Sequence, residues 1–480
     1  MASKPYVAPK HDLPAPLANL TYDQYRGIRF NPEHAIWHDS SEYELQLFHP
    51  GFLFLEPIAI TLIDEYSVFK KLSFDPDQFI YEREATSLAS ALASVQKEGI
   101  GFSGFRVHYP INQSSYKDEM LVFQGASYFR PLGPNQAYGI SARGLAINTG
   151  EPSGEEFPRF SEFWIIKPKP NDHYLTIAAL LDSPSLAGAY IFKVATGVDT
   201  EIEVKAKLFT RESVVKLGIA PLTSMFFYGE NQNRNYRDFR PEVHDSDGLQ
   251  VLTGSGEWIW RPLQNPKRLL ITSSMTRQLK GFGVAQRDRN FDHYLDLEAK
   301  YETRPSLWVE PLNDWGEGRI ELVEIPTPDE TNDNIVAFWV SNQPVAAGSE
   351  LNYQYRLQTF DNFIASHALA KVLRTRIGSA AIPGDPNPPP ANNRQFVVDF
   401  CGAGIEKLSA GQPLEADLQV INGVARDITT TKIPTENCWR ASFKLAPQSK
   451  DAVDMRLKLL YRDQPVSEVW NYVWTPENGQ

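Results

Sequence analysis

The sequence predicts an all-β protein, and three observations carry the prediction. Helical periodicity is scarce, with one clear helix in the first half. Strict period-two alternation appears at Glu201–Leu208, where Ile202, Val204, Ala206 and Leu208 interleave with Glu201, Glu203, Lys205 and Lys207. Turn formers are abundant (35 Pro and 30 Gly), alongside an aromatic share of 12%. At 480 residues the chain exceeds one ordinary domain, and 42% hydrophobic residues suffice for a large core and a smaller one.

The formal net charge of -12 argues against nucleic acid and against an anionic membrane surface, and fits a neutral substrate. No apolar run approaches a membrane span. The first ten residues lack the apolar stretch of a signal peptide, so the sequence reads as cytosolic or as a form trimmed of its export signal. Cys401 and Cys438 form either one disulfide or two buried thiols. Nothing else suggests a disulfide framework, and the reading leans toward thiols. His and Cys nowhere show metal-ligand spacing, so neither metal nor cofactor is expected.

In order, residues 1–20 are proline-rich and extended. Leu20–Gly27 reads as a short helix with Thr21 as N-cap. Strands are expected at Tyr43–Phe48, Ile58–Ile63 and Val68–Phe74. The clear helix is Thr86–Glu98, with Thr86 and Ser87 as caps, Leu88, Leu92 and Val95 on its apolar face, and Gly99 as its stop. Gly99-Ile-Gly-Phe-Ser-Gly104 spells a dinucleotide fingerprint, but it follows a helix and opens a strand, the reverse of what nucleotide binding requires. Strand follows strand from Phe105 to Asp182, with charges interrupting aromatic, glycine-rich segments as a groove for a polar ligand would need.

Arg240-Pro-Glu-Val-His-Asp-Ser-Asp-Gly248 is an acidic loop. Trp258 and Trp260 share one parity, so one strand face carries both, as core or as a platform on which pyranose C–H faces stack. Arg304-Pro-Ser-Leu-Trp-Val-Glu310 and Asn313-Asp-Trp-Gly316 extend the aromatic and acidic theme. A proline-broken loop then carries Glu324, Asp329, Glu330 and Asp333 into the apolar strand Ile335–Val340. A carboxyl held at such a strand beside apolar neighbours can keep its proton and serve as a general acid, whereas a solvated turn would do nothing. Leu351–Leu357 closes the large domain, 1–360. Residues 361–393 read as a linker, with Ser366–Ile377 either helix or extended arm and Pro383–Pro390 stiff. Five short strands in 394–480 form a small β-sandwich.

Six spaced motifs carry a resemblance: Gly125-Ala-Ser-Tyr-Phe-Arg130, Gly139-Ile-Ser-Ala-Arg-Gly-Leu-Ala146, Glu155-Glu-Phe-Pro-Arg159, Ala220-Pro-Leu-Thr-Ser-Met-Phe226, Gly256-Glu-Trp-Ile-Trp-Arg-Pro-Leu263 and Leu322-Val-Glu-Ile-Pro326. Together the chain resembles the bacterial glucans biosynthesis proteins G and D along nearly its whole length. The resemblance implies a periplasmic protein with a large galactose-mutarotase-like β-sandwich and a small immunoglobulin-like domain. It also implies action on β-1,2-linked glucan, as in a glycoside hydrolase family that cleaves this polymer with inversion. On the motifs that match, Asp333 is the general acid and Asp245 the general base. Inverting hydrolysis needs such carboxyls about 6.5–9.5 Å apart, or farther with a water relay. Trp258, Trp260, Trp315, Tyr138, Arg143 and Arg304 are the expected sugar contacts. The implied partners are the glucan and the membrane glucan synthase. Two other activities fit the same residues: a glucan-binding organiser that does not cut, and a transglycosylase in which a sugar hydroxyl replaces water.

Overall fold

The computed structural model describes residues 1–10, 13–93, 100–169, 172–232, 237–364, 367–412 and 414–476. The chain is all-β and folds into two compact units. The first comprises Met1–Pro221, Val309–Gly318 and Phe338–Thr359, and the second Leu222–Trp308, Arg319–Ala337 and Phe360–Gln480. Residues 222–308, expected within the large domain, therefore cluster with the C-terminal strands. Among the described residues, no helix is long and apolar enough to cross a membrane.

The first unit is a β-sandwich. One sheet runs in the order Glu44–Phe48, Gly104–Gln113, Tyr116–Gln124, Tyr128–Pro131, Ser141–Arg143. The facing sheet runs Glu350–Phe360, Thr200–Thr210, Leu186–Thr196, Leu175–Asp182, Arg159–Ile166, Ala59–Ile63, Phe69–Lys71. Phenylalanines of both sheets interlock between them. Phe105 meets Phe163 edge-on at 5.0 Å, and Phe123 and Phe129 meet Phe192 at 5.2 and 5.3 Å. Such pairs add about 0.5–1.5 kcal/mol each beyond their burial. The alternating strand behaves as its sequence requires: Ile202, Val204, Ala206 and Leu208 are buried, while Glu201, Lys205 and Lys207 face water. Thr21 caps the helix Tyr22–Arg26 in a reciprocal capping box with Gln24.

The long helix differs in its start. It spans Thr86–Leu92, and its N-cap is Ala85, because a 3-10 turn at Arg83–Ala85 feeds directly into it. Thr86 is thereby inside the helical run, and its hydroxyl donates back to Arg83 O at 2.7 Å instead of capping. Val95 and Gly99 lie outside the described residues.

In the second unit, one sheet orders Glu415–Ile421, Val453–Tyr461, Val469–Trp474, Trp258–Pro262, Gly248–Leu252 and Gly281–Ala285. A four-stranded sheet orders Lys371–Ser379, Arg394–Cys401, Cys438–Pro447 and Gly423–Ile433. Phe396 stacks on Phe443 at 5.2 Å, and both rings meet Trp470 at 6.2 Å, filling the core between the sheets. Lys371–Ser379, within the stretch read as a linker, is one of these strands and settles the helix-or-arm ambiguity as an extended segment. Cys401 and Cys438 are disulfide-bonded, which overturns the leaning toward thiols. The antiparallel register pairing Phe400 with Trp439 sets the two cysteines opposite each other, with Cα atoms 4.5 Å apart.

Candidate functional site

The site is built on a small apolar platform in the second unit. Met225, Tyr228, Val243, Tyr294 and Tyr301 pack together, and the short strands Phe226–Tyr228 and Val243–His244 pair across it. Asp245 follows the second strand, and its backbone N–H donates to Met225 O at 2.8 Å, so the carboxyl starts from a fixed point. Asp245 is 5% exposed. Arg304 donates to its Oδ1, while the rest of that guanidinium is pinned to Ala299 O at 3.2 and 3.1 Å.

Asp333 comes from the acidic loop. Asn334, next to it, is buried and bonded on three sides to Phe226 and Ile325. Asp333 itself is exposed. The sequence expectation of an acid enclosed by apolar neighbours is corrected in this respect: the strand behind Asp333 is buried, but the loop lifts the carboxyl out of it. Asp245 and Asp333 line the same cavity of about 370 Å³, together with Arg240, Tyr301, Arg304 and Glu330.

The other loop carboxylates separate by role. Glu324 is fully buried, paired with Arg261 at 3.2 Å and accepting Gln264 N–H at 2.8 Å. Burial pushes its pKa up, and Arg261 and Gln264 only partly oppose this. Asp329 caps its own turn through Thr331 N–H at 2.9 Å. Glu330 receives both terminal nitrogens of Arg240 at 2.7 and 3.0 Å, and the Tyr301 hydroxyl donates to it. Burial, then Glu330, holds the Tyr301 hydroxyl well above the ordinary phenol range. Arg240 also grips Asp238 and holds its carboxyl down at about 2. Asp296 is lowered as well: burial raises it, but N–H groups of Ala299 and Glu298 and the Arg240 guanidinium outweigh burial.

Sequence reasoning passed over Tyr301, and it named Arg240 and Glu330 only as members of their loops. Tyr301 opens a 3-10 turn, Tyr301–Thr303, and Arg304 is its C-cap, three residues on. The Arg304 guanidinium lies over the Tyr301 ring at 4.2 Å.

The six expected sugar contacts part company. Arg304 is at the cavity. Trp258 and Trp260 are 7% and 4% exposed and belong to the sandwich core. Trp258 packs on His367 at 4.3 Å and on Trp308 at 5.5 Å, and Arg287 lies 3.5 Å over Trp260. Their shared parity is that of a core-facing row, and neither offers a free face for a sugar. Trp315, in the first unit, is likewise enclosed by Trp339, Tyr353 and Tyr355, so these three tryptophans are corrected to scaffold. Tyr138 and Arg143 also belong to the first unit. Tyr138 is 46% exposed and bonded to Glu119, and Arg143 is buried, 2.7 Å from Glu155 and against the Tyr128 ring.

Among the described residues, Glu242, Asp288 and His293 form the one group with a donor set for a cation, their ligand atoms within 4.8 Å of one another. Within the group His293 Nδ1 is bonded to Asp288, and Glu242 is bonded to His244 at 3.0 Å.

Residues 1–474 match the family described as "Periplasmic glucan biosynthesis protein, MdoG". Glucans biosynthesis protein G of Ralstonia nicotianae is 46% identical over 480 residues, covering 99% of this chain and 94% of that protein. Its counterparts in Vibrio cholerae and Shewanella frigidimarina are 45% and 44% identical over 99% of this chain, and 85% and 82% of theirs. Two solved structures are also similar. The Slr1438 protein of Synechocystis gives a TM-score of 0.25 at 10% identity, covering 54% of this chain and 92% of that one. A galactose mutarotase related enzyme of Lactobacillus acidophilus gives 0.23 at 8% identity, covering 54% and 95%.

Proposed function

The chain belongs to the MdoG family of periplasmic glucan biosynthesis proteins, and from that membership we propose that it is an inverting endo-β-1,2-glucanase of the periplasm. The observation that carries this reading is the meeting of Asp245 and Asp333 on one cavity, drawn from loops 88 positions apart by the platform beneath them. The Cys401–Cys438 disulfide supports an oxidising compartment.

In this reading Asp333 gives its proton to the glycosidic oxygen as the bond to the anomeric carbon breaks. Asp245 takes a proton from a water that attacks that carbon from the opposite face. One water is consumed, and a reducing end of inverted configuration forms. Asp245 then holds a proton and Asp333 lacks one, and exchange with solvent resets both. Arg304 orients Asp245, with Tyr301 stacked behind it. The same Arg304 contact supports the second reading, an organiser that binds without cutting, because a guanidinium-held carboxylate is also a good hydroxyl acceptor.

The test is incubation of the wild type and of Asp333→Asn with linear β-1,2-glucan, followed by chromatography and by the anomeric configuration of fresh ends. Shortened chains from the wild type alone, with inverted ends, are expected. Cyclic or re-linked products would assign transfer, and binding without shortening would assign the organiser.

A further inference from the structure

We propose that the second unit carries a separate saccharide-binding pocket, walled by Pro388–Pro390 and Arg394 over a floor that includes Tyr472 and Trp474, that holds one or two sugar units of a glucan without cleaving them. The ligand class rests on the glucan reading above; the pocket itself does not.

The space is a cavity of about 490 Å³, larger than the 370 Å³ beside Asp245 and within the usual range for small-molecule sites. It opens over the end of the strand Lys371–Ser379: a Cβ placed on Gly378 would meet no heavy atom within 4 Å. Two nearly buried amides line it, Asn231 at 6% and Gln264 at 1% exposure. The Asn231 Nδ2 donates to Leu263 O at 2.9 Å and to the Tyr472 hydroxyl at 3.3 Å. The Gln264 Nε2 donates to Val473 O at 2.8 Å. Both NH2 groups are thereby committed, which fixes the orientation of each amide at the cavity.

The walls restrict the ligand further. Three successive prolines present C–H surface and no N–H, which matches the C–H face of a pyranose. Among the described residues no carboxylate lines the cavity, so none of them offers a carboxyl acid or base for hydrolysis, and the guanidinium of Arg394, which also lines it, adds donors for hydroxyl oxygens. Arg394 lies 5.8 Å over the Trp474 ring and ties the proline loop down by donating to Ala391 O at 2.6 Å. These features suit a hydroxyl-rich ligand held at a wall of fixed shape.

The test is backbone hydrogen exchange in the Asp333→Asn protein, with and without a linear β-1,2-linked gluco-oligosaccharide. Two variants fill the pocket, Gly378→Leu from the strand and Ala391→Trp from the exposed loop. Exchange is expected to slow at Gly378, Ser379 and Trp474. Either variant should raise the oligosaccharide concentration required at least tenfold, with protection around 240–304 unchanged. Protection confined to 240–304, or protection at 378–391 that survives both fillings, would overturn the pocket and leave the glucanase reading standing. Protection nowhere would overturn both.

Discussion

Asn334 brackets a single residue, Phe226: its Oδ1 accepts the Phe226 N–H at 2.8 Å and its Nδ2 donates to the Phe226 carbonyl at 3.0 Å. The same Nδ2 reaches Ile325 O at 3.0 Å, and Ile325 N–H returns a bond of 2.8 Å to the Asn334 carbonyl. The neck of the acidic loop is thus closed by one side chain, directly beside Asp333. The arrangement needs an acceptor and a donor on one planar group, which an amide has and a carboxylate lacks.

Asn334→Asp should therefore fail although it keeps the shape. Its second oxygen would face two carbonyls and leave both unpaired in a buried setting, a cost of about 2–4 kcal/mol. Urea unfolding measures that loss. Asn332→Ala, two positions earlier and exposed, should stay within about 0.5 kcal/mol of the wild type. Glucan shortening should fall at least tenfold in Asn334→Asp at temperatures where the variant is folded. Equal stability of Asn334→Asp and wild type would show that the neck is not what holds the loop.

The Arg240 clamp makes a prediction about acid. Its Nε and one terminal nitrogen hold the two Asp238 oxygens at 3.0 and 2.8 Å and lower that carboxyl from 3.8 to about 2. A depressed carboxylate contributes stability that is fully present above its unfolded value and is lost as pH falls through the folded one. The clamp should accordingly persist at pH 4 and release between about 3.8 and 2. A carbon-detected titration should find the Asp238 midpoint near 2, moving up toward the ordinary range in Arg240→Gln. A wild-type midpoint at the ordinary value would remove the clamp from the site.

The disulfide closes a loop of 37 positions between adjacent strands. Constraining an unfolded chain over that length is worth about 3–4 kcal/mol in the chain-entropy account. Cys401→Ser/Cys438→Ser should lower the urea midpoint accordingly, and a reducing agent should do the same to the wild type alone. Cavity chemistry at Asp245 should be unaffected. A double variant as stable as the oxidised protein would show that strand pairing alone sets the register.

Elements whose signal is local were legible in the sequence. Ile202 to Leu208 gave their buried face by alternation, and Thr21 capped its helix because the capping bond spans only three residues. Motif resemblance pointed to Asp245 and Asp333, which line one cavity, but carried no information on their exposure. Trp258 and Trp260 show the limit. Parity says that they share a face, but what covers each ring, His367 at Trp258 and Arg287 over Trp260, comes from other segments of the chain. The cysteines were equally opaque, since only the register of two distant strands puts Cys401 opposite Cys438. Thr86 failed as a cap for a local reason with no compositional mark, namely the helical turn that precedes it.

A fully buried charge in the second unit gives the last prediction. Glu468 is fully buried, receives Arg287 at 2.6 and 3.0 Å, His367 at 2.7 Å and the Val372 N–H at 2.7 Å. Burial alone would raise its pKa, but Arg287 and His367 outweigh burial and hold it at about 2. Above its ordinary value of 4.5 the carboxylate therefore stabilises the fold, and that contribution is lost as pH falls toward 2. Glu468→Gln keeps the shape and strands the Arg287 guanidinium, 1% exposed, without a counter-charge. The expected cost at pH 7 is about 3–5 kcal/mol. The gap from wild type should narrow at pH 3, where the wild type has already lost part of the benefit. Arg287→Met/Glu468→Leu should be more stable than Glu468→Gln alone, because it removes both charges and not one. Urea unfolding at the two pH values measures all three proteins. A Glu468→Gln cost under about 1 kcal/mol, unchanged between pH 7 and pH 3, would mean that packing rather than charge holds this core.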